Sequence, residues 1–83
     1  MRYTVVWNQD VQDELGQLWI DAGNKKGIAQ AADRIDWELM NSPADKGEPF
    51  GDRFHIIEVP LQIIYQVSED DRLVTVLQVR LLE

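Results

Sequence analysis

EVPLQIIYQVSEDDRLVTVLQV, residues 58–79, is the stretch that decides the fold. Two runs rich in branched residues, PLQIIYQV and RLVTVLQV, alternate in period two on either side of the acidic SEDD, a pattern of paired strands joined by a turn. Pro60 begins the first run, the strand position where a missing N–H costs least. RFHIIEV, residues 53–59, has the same period, so three consecutive strands are expected to form an antiparallel meander.

Working back toward the start of the chain, NSPADKGEPFGD, residues 41–52, gathers two prolines, two glycines and a serine and reads as a loop. Before it the period is helical. Ile28, Ala31, Ala32, Ile35 and Leu39 form one apolar stripe; Val11, Leu15, Leu18, Trp19 and Ala22 form another. AGNKKG, residues 22–27, stops the first helix and connects it to the second, and Asn8 stands where it can cap the first, with Asp10 and Asp13 near its positive end. RYTVVW, residues 2–7, crowds β-branched and aromatic residues into a strand with Tyr3, Val5 and Trp7 on one face. The expectation is an α+β fold, strand, helix, helix, strand, strand, strand, with a two-helix hairpin packed on a small antiparallel sheet in a single domain spanning 1–83.

Composition narrows the function. At 83 residues the chain supplies one small core, and apolar residues at 45% with charged residues at 28% are ordinary globular values. There is no cysteine, so disulfides, thiolate metal sites and thiol nucleophiles are excluded. A single histidine leaves no expectation of a metal site, and nothing calls for a cofactor. The first residues carry no long apolar run and no stretch approaches the roughly 20 apolar residues needed to cross a bilayer, so a cytoplasmic protein without a membrane partner is expected. Fifteen acids against eight bases give a net charge of −7, which repels a phosphate backbone unless the few cations gather on one face.

YTVVW at the start, with RFHIIEVPLQIIYQV and DDRLVTVLQV at the end, in this order of elements, resembles the RelE/ParE toxin superfamily of bacterial type II toxin–antitoxin systems. The anchors are Trp7, Pro43, Gly47, Arg53, Pro60, Leu61 and Tyr65, and the resemblance spans nearly the whole chain. It implies a growth inhibitor held by an antitoxin, acting either as a ribosome-dependent mRNA endonuclease or on DNA gyrase. The endonucleases of the family carry basic residues on an exposed sheet face, where cations stabilise charge developing on phosphate. Position by position, two expected lysines fall on Arg53 and His55, and an expected arginine falls on Gln62. A further arginine falls near Leu82, with Arg80 two residues earlier, and the aromatic residue of the family's tail has no counterpart before Glu83. The resemblance thus leaves Arg53, His55 and Arg80 as catalytic candidates, a sparse set for ribosome docking.

Each candidate has a plainer reading beside it. His55 is either a proton carrier or a half-exposed strand residue; Arg53 either positions a phosphate or pairs with Asp52 or Glu58. Tyr65 is in phase with Leu61, Ile63 and Val67 and reads as a core aromatic with its hydroxyl at the edge. The EDD of residues 69–71 lacks calcium-loop spacing and solvates a hairpin. Trp37, with Met40, lies off the apolar stripe of the second helix, and Ile20 lies off that of the first. These three are either a partner contact, the antitoxin by resemblance, or are covered by the 41–52 loop. A non-toxic binding module on the same fold and a homodimer through the exposed helix face remain open.

Overall fold

The computed structural model describes residues 2–82. Strand β1 (Thr4–Trp7) leads into helix α1 (Gln9–Asp21) and helix α2 (Lys25–Asn41); a single turn, α3 (Pro43–Lys46), precedes strands β2 (Glu48–Phe50), β3 (Arg53–Glu58), β4 (Leu61–Ser68) and β5 (Leu73–Leu81). The sheet order is β1-β5-β4-β3-β2. From β2 to β5 every neighbour is antiparallel, as the meander requires. β1 departs from the antiparallel expectation: it runs parallel to β5, with Val5 opposite Val74 and Trp7 opposite Val76, so the sheet is mixed. Because α1 and α2 intervene, β1 is free to enter in either direction, and period-two alternation carries no direction signal.

Both long helices lie on one face. Val11, Ile28, Ala31, Ile35 and Leu39 bury themselves against Ile56, Leu61, Ile63, Tyr65, Val74, Val76 and Val79. Fully burying an aliphatic side chain is worth about 1.5–3 kcal/mol, so these residues carry the fold. Asn24 caps α2, its side chain accepting from the Gly27 N–H at 3.1 Å. Asn8 occupies the cap position of α1 without a side-chain cap bond, and the first turn is closed by Gln12 N–H donating to the Asn8 carbonyl.

The segment expected to be only a loop holds α3 and β2. The reason lies in the core. The Tyr65 hydroxyl, fully buried, donates to the Pro43 carbonyl, and the segment then turns back so that Glu48 pairs with His55 and Phe50 with Arg53. Gly47 permits this close approach: a Cβ there would collide with the Tyr65 hydroxyl. β3 and β4 meet at the Val59–Pro60 turn, so that β4 begins at Leu61, one residue later than the sequence reading.

β5 contains a bulge. Ile64 faces Gln78 and Tyr65 faces Val76, leaving Leu77 as an extra residue. Val74 and Val76 are buried before it and Val79 after it, so the alternation changes phase within one strand.

Candidate functional site

Two surfaces remain after the core is built. The first is the sheet face opposite the helices. Pairing places residues of equal facing side by side: Glu48, His55, Ile64 and Gln78 form one row, Ile57, Gln62 and Arg80 the next, and Phe50 lies beside Arg53. All three sequence candidates therefore share this face. They do not converge. His55 and Arg80 are two strands and two residues apart, about 12 Å between Cα atoms, and Arg53 is farther from Arg80 still.

Their partners are acidic. Arg53 Nε lies 4.0 Å from Asp52 Oδ1 on an exposed turn, a pair of little energetic weight. His55 Nε2 is 3.6 Å from Glu48 Oε2, and Nδ1 is buried without a hydrogen-bond partner. The Phe50 ring meets the imidazole edge-on, with 6.1 Å between centroids. Gln62 stands opposite Arg80, so the row that would need a second cation has a neutral amide. Such a face can hold one phosphate at Arg53 or Arg80; it cannot surround one with positive charge.

The second surface is a groove of about 740 Å³ between the outer edge of β1 and the two long helices. Trp7 forms one wall and Trp19 another; Leu15, Gly16, Ala29 and Ala32 lie between them, and Asp33 and Asp36 stand on the α2 side. Trp7 is pinned there, its indole N–H donating to Asp36 Oδ1 at 3.1 Å. Trp19, expected on the inward stripe, is 44% exposed, with the Lys25 ammonium 4.8 Å above its ring. A cation already uses that ring face.

Backbone groups complete the groove. Thr4 and Asn8 N–H groups bond the carbonyls of Arg72 and Val76, so alternation turns the N–H of Val5 and Trp7 away from the sheet. The Trp7 carbonyl is taken by the Gln12 side chain. The opposite sheet edge, β2, is short and carries Glu48 and Pro49, two devices that discourage strand addition. β1 has neither.

Of the expected partner residues, Trp37 is 61% exposed and Ile20 60% exposed, while Met40 is half-buried and its carbonyl accepts from the Tyr3 N–H. Trp37 and Met40 are neighbours on α2. Ile20 is not beside them: it lies on the last turn of α1, next to the start of α2, and Lys25 to Trp37 is a rise of about 18 Å. Sequence reasoning missed the groove because Trp7 and Trp19 each fitted an apolar stripe. A signal existed in Gly16, one turn before Trp19, where an added Cβ would meet nothing within 4 Å.

One polar cluster lies beside the first surface. Glu38 on α2 approaches Glu58, which accepts from Arg34 Nε at 3.1 Å. Burial first, and the Glu58 carboxylate second, raise the Glu38 carboxyl above its ordinary value. Burial, with Glu38 adding to it, pushes the Tyr65 phenol up to about 12. Among the described residues no three His, Cys, Asp or Glu side chains stand close enough to hold a metal ion, and no helix is long and apolar enough to cross a membrane.

No protein-family model matches the sequence. Nor does any curated protein match it. Solved structures do match the fold. A chain of the RelBE2 toxin–antitoxin complex of Mycobacterium tuberculosis superposes with a TM-score of 0.82 at 18% identity, covering 98% of this chain and 99% of that one. A mutant of the E. coli RelE toxin in the free state gives 0.66 at 23% identity over 95% and 82%. The archaeal RelE–RelB complex from Pyrococcus horikoshii gives 0.61 at 20% identity over 98% and 96%. The chain therefore has a RelE toxin-like fold along nearly its whole length.

Proposed function

We propose that this chain is the toxin-like member of a bacterial toxin–antitoxin pair, cytoplasmic, and that a segment of its antitoxin occupies the groove beside β1. The observation that carries the reading is the groove itself. In a fold shared with chains of toxin–antitoxin complexes, it sets apolar and aromatic walls against an uncovered strand edge and two carboxylates. An extended or amphipathic segment with apolar and basic side chains satisfies all three features at once. The exposed Trp37 extends the same partner contact along α2.

The test is co-expression with the product of the neighbouring gene, followed by purification through a tag on this chain. Stable co-purification, abolished by filling the groove with Gly16→Trp while circular dichroism shows the fold retained, supports the reading. A neighbouring product that does not bind, or binds the filled variant equally well, overturns it.

Ribosome-dependent RNA cleavage is a second reading, favoured by Arg53 and His55 lying two residues apart on the bare sheet face. Its test is induction of wild type beside the combined change Arg53→Ala, His55→Ala, Arg80→Ala. Growth arrest with cut transcripts, lost in the triple variant, supports cleavage. Arrest with intact transcripts excludes it and directs attention to a target such as gyrase, and the absence of arrest at soluble expression leaves a binding module on the same fold.

A further inference from the structure

We propose that the bare sheet face is a self-association surface, and that two copies of this chain pack these faces against each other. The argument begins with coverage. α1 and α2 pack on one side of the sheet, and the outward residues of β2 to β5 form the other side, bordered at its margins by Asp10 and Glu14 of α1 beside Gln78 and Arg80 and by Lys46 beside Glu48 and His55. Apolar residues among them include Ile57, 49% exposed, Phe50, 58% exposed, and the half-buried Ile64 and Leu73. Three more, Gln62, Gln66 and Gln78, are uncharged amides that can pair with one another across an interface.

Charge selects the occupant. A chain of net charge −7 repels its own copies wherever acids meet acids. The exposed side of α1 carries Asp10, Asp13, Glu14 and Asp21 and no base, so a helix-face dimer that brings the two copies of α1 together sets like charges against each other, even though Lys25, Lys26 and Arg34 offset the acids of α2. The bare sheet face differs. Among the described strand acids only Glu48 points to it, since Glu58 turns toward α2 and meets Arg34. Arg53 and Arg80 lie on the same face and balance Glu48 and the exposed Asp52 beside Arg53, so the face is close to neutral and each copy offers cations to the Glu48 of the other. Among the described residues it is a broad surface of this acidic chain on which a second copy meets little net charge.

Geometry permits the contact. Five strands about 4.8 Å apart make a face some 24 Å wide, and two such faces stack at about 10 Å with their strands within roughly 30° of each other. The symmetric arrangement uses the same residues on both copies. It also covers Arg53, His55 and Arg80. The inference does not depend on an antitoxin partner, because the groove beside β1 lies at the sheet's other margin and on its helical side.

Sedimentation equilibrium on the full chain tests it, at concentrations from about 1 to 100 μM, a range that resolves micromolar dissociation constants. The expected result is a species of twice the 9.6 kDa chain mass. The double change Gln66→Glu, Gln78→Glu, at two exposed positions that leave the core untouched, weakens the dimer by at least about tenfold, and Ile57→Lys does the same. Trp37→Glu, on the helix side, leaves it unchanged. Far-ultraviolet circular dichroism establishes that each variant is folded. A monomer throughout the range overturns the proposal, and so does a dimer that dissociates on Trp37→Glu but withstands both sheet-face changes.

Discussion

The Tyr65 hydroxyl donates to the main-chain carbonyl of Pro43 at 2.5 Å, joining the middle of β4 to the first turn beyond α2. The bond is buried and bridges 22 residues of sequence. It fixes where the chain turns after the helical hairpin, and so where β2 can add to the sheet.

Replacing Tyr65 by Phe removes the hydroxyl and leaves the Pro43 carbonyl without its partner. An unsatisfied buried acceptor costs about 1–3 kcal/mol, and in a chain of this size each kcal/mol lowers Tm by roughly 4–8 °C. Thermal unfolding followed at 222 nm should show the drop. A melting temperature equal to wild type would mean that the hydroxyl contributes nothing.

The same phenol sets a pH window. In the unfolded chain it loses its proton near 10, and in the folded chain only near about 12. Above pH 10 the unfolded state therefore binds fewer protons than the native state, so stability present at pH 10 is lost as pH rises toward 12. Tyr65→Phe should lack that component of the alkaline loss. Urea midpoints at pH 9 and pH 11 for both proteins check this; equal alkaline losses would refute it.

Gly47→Ala places a methyl group against the Tyr65 hydroxyl, with the His55 carbonyl only 3.1 Å from the added carbon. Neither neighbour can retreat easily, because one is in the core and the other is strand backbone. Overpacking of this kind costs about 1–3 kcal/mol. Combined with Tyr65→Phe the penalty should be less than the sum, since the clash loses its closest atom. Additive losses in the double variant would count against that contact.

Glu38→Gln acts in the opposite direction. Burial and the neighbouring Glu58 hold the Glu38 carboxyl above its ordinary value, so its charged form is disfavoured in the native state. A raised folded value means stability is fuller below the unfolded carboxyl range and falls as pH rises through it. The amide removes that loss. Stability at pH 7 should increase, with little change at pH 4, as read by denaturant midpoints. A decrease at pH 7 would show that the contacts of Arg34 and Lys46 with the Glu38 charge outweigh its burial.

Much of this architecture was legible in local pattern. The period-two runs around Pro60 and SEDD became β4 and β5, and the Ile28, Ala31, Ile35, Leu39 stripe became the buried side of α2. What escaped was set by distant contacts. Pro43 and Gly47 read as loop residues because the buried phenol that organises them lies on another strand. The direction of β1 had no local signature. At the functional surfaces, the exposure of Trp37 followed from helical phase, whereas Trp19 looked like core because periodicity marks a side of a helix but not whether a neighbour fills it. The missing cation at Gln62 was visible in the sequence, but the spacing of Arg53, His55 and Arg80 required the register.

β5 is in effect written in two reading frames. Strict alternation from Val74 and Val76 would carry Gln78 and Arg80 toward the helices and leave Val79 in water; Leu77 resets the count, so that Val79 enters the core and Arg80 leaves it. Deleting Leu77 would leave Val79 inside and Arg80 outside. Closing the bulge with Leu77 kept in regular pairing would instead be a frameshift at the level of the sheet, exchanging inside for outside along the rest of the strand and erasing the cationic corner of the bare face without altering any residue.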